Sequence, residues 1–190
     1  MDASGVILGK LDGLVYILTV EHAARHDLQQ VEIYSTTSHD PVAKSRNLSI
    51  HGTPDPRRDL AILKVKLDES VPITPVRGVA VISPDDSTHE PVEFGYSVGC
   101  SAGSHPTLLR ERITGSERIK VVGSKKNALM WTTERPQTPG RSGGPLIDVQ
   151  GSLLGVALGK RKSQGFYCHW QEILDYLIDS DLHALVRCAE

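Results

Sequence analysis

The segment Thr138-Pro139-Gly140-Arg141-Ser142-Gly143-Gly144-Pro145-Leu146 sets one serine among three glycines. Glycine serves where the backbone takes φ > 0 or must pass close to another group. A serine hydroxyl in such a loop becomes a nucleophile once a nearby base accepts its proton. The backbone N–H groups of Gly140 and Ser142 would then face the oxyanion that develops during attack on a carbonyl. The plainer alternative is a glycine-rich turn leading into the strand Pro145-Leu146-Ile147.

Two catalytic arrangements compete for this serine. Gly140-Arg141-Ser142-Gly143-Gly144 also satisfies G-x-S-x-G, the nucleophile elbow of α/β-hydrolases. That elbow needs a helix directly after the serine, and Gly143-Gly144-Pro145 is poor helix material. It also places the acid and the histidine downstream, where too little chain remains. The order histidine, aspartate, serine fits instead. His22 follows the apolar run Ile17-Leu18-Thr19-Val20 and opens a helical turn, and Asp59 stands at the entrance of the run Leu60-Ala61-Ile62-Leu63. Asp55 is a second candidate for the acid, although its Asp-Pro context reads as a turn.

These three segments, Leu18-Thr19-Val20-Glu21-His22, Asp59-Leu60-Ala61-Ile62-Leu63 and Pro139-Gly140-Arg141-Ser142-Gly143-Gly144-Pro145-Leu146, resemble the trypsin/chymotrypsin-like serine peptidases. Among those they are most similar to bacterial HtrA/Deg-type catalytic domains, here without a PDZ-like segment. Gly95-Tyr96-Ser97-Val98-Gly99, Gly155-Val156-Ala157-Leu158-Gly159 and Gly165-Phe166-Tyr167 extend the likeness. The resemblance implies a serine endopeptidase working through an acyl-enzyme without a cofactor. His22 would be base and then acid, Asp59 its orienting partner and Ser142 the nucleophile, with Gly140 and Ser142 forming the oxyanion hole. Pro136, Gln137, Leu158, Gly159 and Lys160 would line the substrate pocket. With no acid near the pocket floor, an uncharged, small to medium apolar side chain is expected there. The partner is then a peptide or protein substrate, with further domains or subunits outside this chain left open.

Several residues depart from that pattern. Arg141 precedes the serine where trypsin-like zymogens carry an aspartate that pairs with a newly cut N-terminus. Leu158 replaces a hydroxyl residue that supports the triad acid in many relatives. Glu21 beside His22 favours the imidazolium and would raise its pKa. A contrasting reading is a catalytically weak or inactive trypsin-like fold that binds peptides as a scaffold. His26, four residues after His22, could share a helical face with it for a metal, but no third ligand follows and no H-E-x-x-H frame is present. No metal site is expected. Lys160-Arg161-Lys162 reads as a solvated loop.

The elements that must carry these residues are short and apolar. Asp12-Gly13 between Val6-Ile7-Leu8 and Val15-Tyr16-Ile17-Leu18 is a strong hairpin signal. Asp148 to Gly151 marks another turn. Further runs at Val31-Tyr34, Leu60-Leu67, Val92-Tyr96, Arg118-Val122 and Ala128-Thr133 read as strands, and the proline-punctuated stretch from Val71 to Pro91 as the connection between two halves. Among the 190 residues are 17 glycines and 11 prolines, with aromatics at only 5%, a composition of many strands and turns. Apolar residues at Trp170, Ile173, Leu174, Leu177 and Ile178 keep helical spacing, with Ser180 a possible N-cap for a last turn.

The fold expected is all-β, two packed six-stranded antiparallel barrels (1–75 and 76–167) with a C-terminal helix in 168–190. The site would lie between the barrels. A net charge of −2 argues against a strongly basic nucleic-acid binder. No apolar stretch is long enough to span a bilayer, the opening residues lack the pattern of a secretory signal, and the compartment stays open. Three cysteines without a CxxC pair argue against a disulfide scaffold, and Cys168 and Cys188 would lie too far apart to pair if the helix between them were continuous, though not if it breaks and folds back.

Overall fold

The computed structural model describes residues 2–26, 28–35, 38–80, 92–121, 124–186 and 188–189. In the first lobe, β1 (Val6–Leu11) and β2 (Leu14–Thr19) form the expected hairpin. Asp12 and Gly13 sit at φ 50° and 75°, the paired positive values of a two-residue turn that matches the strands' twist. Next come α1 (Glu21–Ala24), β3 (Val31–Ile33), β4 (Ala43–Ser45), β5 (Leu48–Asp55) and β6 (Leu60–Lys66). The order β1-β2-β6-β5 makes one sheet, and β3-β4 a separate ladder. Among the described residues the lobe therefore has six strands, divided four and two. Strand β6 is central and apolar on both faces. Leu60 and Ile62 enter the core shared with the second lobe, whereas Leu63 and Val65 pack within the first.

The second lobe contains β7 (Val79–Ala80), β8 (Phe94–Cys100), β9 (Pro106–Lys120), β10 (Asn127–Thr133), β11 (Pro145–Ile147), β12 (Leu153–Arg161) and β13 (Gln164–His169). The ladder runs β11-β8-β9-β10-β13-β12, and an additional β11–β12 pairing closes it into a ring of six antiparallel strands. Strand β7 pairs parallel with both β12 and β14 (Cys188–Ala189). Part of the proline-rich connection is therefore strand, while Pro84 and Pro91 lie outside the described residues, as does the end of the Arg118–Val122 run. A single core joins the lobes: Leu8, Leu18 and Leu60 meet Met130, Leu153, Val156 and Phe166.

The carboxyl-terminal helix α2 is shorter than 168–190. It spans Trp170–Asp179, with the His169 side chain accepting the Gln171 N–H at 3.2 Å. Ser180 is its C-cap, not the N-cap of a following turn, and Asp181 takes φ 57°. A 3₁₀ turn at His183–Leu185 follows without a side-chain cap. Ile173, Tyr176 and Leu177 are the buried helical stripe. Cys100 and Cys168 are free thiols. Among the described residues no helix is long and apolar enough to cross a membrane.

Candidate active site

Asp59 is presented by a turn that its own sequence builds. The Asp55 carboxylate accepts the N–H groups of Arg57 (2.7 Å) and Arg58 (3.2 Å), an Asx-type reversal. Asp55 also accepts from the Arg58 guanidinium at 2.7 Å, so it faces Arg58 and not His22. The chain then enters β6 through Asp59 at φ 55°, a left-handed conformation that aspartate tolerates better than most residues.

The first turn of any helix leaves N–H groups without partners, and Asp59 satisfies two of those of α1. Its carbonyl accepts the Glu21 N–H at 3.1 Å, and its Oδ1 accepts the His22 N–H at 2.8 Å. Its Oδ2 lies 2.6 Å from His22 Nδ1. An ionised carboxylate can only accept, so Nδ1 carries a proton and the neutral ring keeps its lone pair on Nε2. No hydrogen bond joins Leu158 to Asp59 among the described residues, as the departure at Leu158 implies.

The Asp59 carboxylate raises the His22 pKa by its hydrogen bond, against a lowering by burial. The charges of Asp59 and Glu21 raise it further, and that of Arg25 lowers it. Glu21 is buried and paired with Arg25. On the reading that His22 is a general base, which works only when neutral, the acid limb of kcat/KM is expected above the ordinary histidine value of 6.5. Glu21→Gln should move that limb down, read from a pH–rate profile; an unmoved or higher limb contradicts the assignment. The same raised pKa contributes stability fully present below pH 6.5 and lost as pH rises through the folded value.

The serine loop is held with its donors turned outward. Gly140 and Gly143 take φ 91° and 88°, and a Cβ on Gly140 would come within 2.6 Å of the Cys100 carbonyl oxygen. The Pro139 carbonyl accepts the Ala102 N–H at 2.8 Å, and the Arg141 carbonyl accepts the Gly144 N–H at 2.9 Å. A trans peptide points its N–H opposite its C=O, so the N–H groups of Gly140 and Ser142 face away from those partners. Neither donates to a protein acceptor among the described residues. Arg141 does not reach the cleft. It is buried, and its guanidinium donates to the carbonyls of Gly99, Ser97 and Thr107 and to the hydroxyls of Thr107 and Ser97. It anchors the loop to β8 and β9.

His22, Gly140 and Ser142 line one cavity of about 240 Å³, together with Asp2, Ala3, Ala102 and Pro139. The Ser142 hydroxyl donates to the Leu158 carbonyl at 3.2 Å. None of the five residues expected to form the pocket lines this cavity. Pro136 and Lys160 are exposed, Leu158 and Gly159 half-buried. Gln137 is buried with neither amide heteroatom hydrogen-bonded among the described residues. Lys160, Arg161 and Lys162 are exposed.

Residues 3–156 match the model of the trypsin-like peptidase domain. The chain belongs to this family. Solved structures share the fold of the peptidase domain. The Rv3671c protease from M. tuberculosis in its active form superposes with a TM-score of 0.69 at 21% identity, over 99% of this chain and 74% of that one. The MamO protease domain from Magnetospirillum magneticum gives 0.70 at 21%, over 92% and 87%. The HtrA-type protease AlgW gives 0.64 at 22%, over 93% of this chain but 51% of that one. No curated protein sequence matches. The peptidase fold explains why the three motifs, far apart in sequence, converge between lobes. The sequence does not reveal three contributors: the anchoring role of Arg141, Ser4, whose hydroxyl donates to the Gly140 carbonyl at 2.8 Å, and Glu172 of α2, which accepts from Arg58 Nε at 3.0 Å.

Proposed function

We propose that the domain is a serine endopeptidase with His22, Asp59 and Ser142 as its catalytic residues. The supporting observation is that His22, gripped from behind by Asp59, and Ser142 border the same cavity. The Ser142 hydroxyl turns from Leu158 toward His22 Nε2. As Oγ bonds to the substrate carbonyl carbon, its proton passes to Nε2. The carbonyl electron pair moves to the oxygen, which the Gly140 and Ser142 N–H groups stabilise. Collapse breaks the C–N bond, and the leaving amine takes the proton from His22. Water, deprotonated by His22, then attacks the acyl-enzyme; the Ser142 oxygen leaves with that proton, and the free acid departs.

The scaffold reading rests on the bond from Ser142 to the Leu158 carbonyl, which occupies the hydroxyl proton elsewhere. A fluorophosphonate, which needs an activated serine, separates the two. Wild type is expected to be labelled and Ser142→Ala not. Equal labelling of both proteins overturns the nucleophile, and an unlabelled wild type favours the scaffold.

A further inference from the structure

We infer that Ser4 is a positioning residue for the oxyanion-binding loop, a role that rests on Ser142 being the nucleophile. Ser4 lies just ahead of β1 in the first lobe, yet it touches the serine loop at two carbonyls. Its N–H donates to the Ser142 carbonyl at 2.7 Å, and its hydroxyl donates to the Gly140 carbonyl at 2.8 Å. The same hydroxyl accepts the Cys100 N–H at 3.0 Å. The Ser4 carbonyl in turn accepts the Thr19 hydroxyl at 2.7 Å, and Thr19 ends the strand that leads to His22. One residue thus links the segment bearing the base to the loop bearing the nucleophile.

The mechanical need lies in Gly140 and Gly143. Glycine has little intrinsic preference between φ signs, so the peptide after Gly140 depends on its hydrogen bonds, and within the loop its Arg141 N–H donates to the Thr138 carbonyl at 3.2 Å. The Ser4 hydroxyl fixes the Gly140 carbonyl. Together with the Pro139–Ala102 bond on the preceding peptide, this holds both sides of Gly140, and so the direction of its own N–H. Gly143 is left without a side chain for the same contact, because a Cβ there would overlap the Ser4 carbonyl oxygen. Arg141 holds the loop from inside the second lobe and Ser4 from the first.

A donor that is misaimed fails the transition state more than the bound substrate. Loss of an oxyanion donor costs about 10²–10³ in kcat, and loss of its support a fraction of that. Ser4→Ala, Ser142→Ala and wild type are compared by kcat, KM and inhibition by a peptide boronate, which mimics the tetrahedral intermediate. Ser4→Ala should lower kcat about tenfold to thirtyfold with KM within about twofold, and weaken the boronate by the same factor as kcat/KM. Thr19→Val, which loosens the same clamp but spares the Ser4 hydroxyl, should lower kcat less, and serves if Ser4→Ala does not fold. Unchanged kcat and boronate affinity in a folded Ser4→Ala, or in Thr19→Val where only that variant folds, overturns the inference while leaving the nucleophile intact. Activity retained by Ser142→Ala would instead remove the function on which it rests.

Discussion

Asp59→Asn is expected to lower turnover about 10⁴-fold, a magnitude borrowed from the trypsin-like triad in general. The reason is specific to the bonds that Asp59 makes. Its Oδ1 accepts the His22 backbone N–H at 2.8 Å, and its Oδ2 meets Nδ1 at 2.6 Å. An asparagine must keep its carbonyl oxygen on the backbone N–H, because its NH₂ end would meet another donor there. The NH₂ group is then turned toward Nδ1, which must become an acceptor. The ring proton moves to Nε2, the atom that has to receive the serine proton, and general-base catalysis is blocked. Asparagine also accepts the left-handed φ of 55° at this position, so the fold is expected to persist. Asp55→Asn is the contrast: Asp55 holds the turn and Arg58, so stability should fall while turnover stays within about tenfold of wild type. Steady-state kinetics and denaturant unfolding of both variants decide the matter. If Asp55→Asn carries the large loss in turnover, the acid has been assigned to the wrong residue.

The extent to which the sequence foretells this structure follows the reach of each interaction. The β1–β2 hairpin is legible because its turn residues, Asp12 and Gly13, adjoin the strands they connect. The proposed catalytic residues His22, Asp59 and Ser142 stand out in the sequence because each carries local context: an apolar strand before the histidine, one after the aspartate, glycines around the serine. Much of β9 is not. Its segment Leu108–Glu117 sets three consecutive charged residues, Arg110-Glu111-Arg112, among few apolar ones, most of its side chains are exposed, and a register shift against β10 interrupts its periodicity. The helix break after Asp179 falls at Ser180, where the sequence leads one to expect a new turn, although Ser180 closes the helix instead of opening that turn. The supports of the site are the least legible part. The Ser4 hydroxyl finds its acceptor 136 positions away, and Arg58 finds Glu172 across 114. A serine before a strand and a glutamate on a helix carry no mark of such partners, and Arg141 reads as a departure from a motif until its five acceptors are seen.

Glu172→Ala is expected to cost about 3 kcal/mol of unfolding free energy at pH 7, a large share of the roughly 5–15 kcal/mol that domains possess. Glu172 is buried on α2. Its Oε2 pairs with Arg58 Nε at 3.0 Å and with Arg57 at 3.0 Å, and its Oε1 accepts the Leu129 N–H at 2.9 Å. One carboxylate thus ties the turn that presents Asp59 to strand β10 of the other lobe. Removing it leaves a buried guanidinium and a backbone donor short of partners, although Asp55 and Asp179 still hold Arg58 and keep the cost at the low end for a broken buried pair. Burial pushes the Glu172 carboxyl up, but the Leu129 N–H, the Arg58 guanidinium and the charge of Arg57 together outweigh it and hold the pKa below its usual value. A lowered folded pKa contributes stability that is present above the unfolded value of 4.5 and lost as pH falls through the folded one. The gap between wild type and Glu172→Gln, which cannot ionise, should therefore be wide at pH 7 and shrink below about pH 4.5. Because Arg58 directly precedes Asp59, both variants should also turn over more slowly. Urea unfolding across this pH range, at unchanged m-value, checks the claim. A Glu172→Ala stability within about 0.5 kcal/mol of wild type at pH 7 would show that the ion cluster is a surface-like pairing without structural consequence.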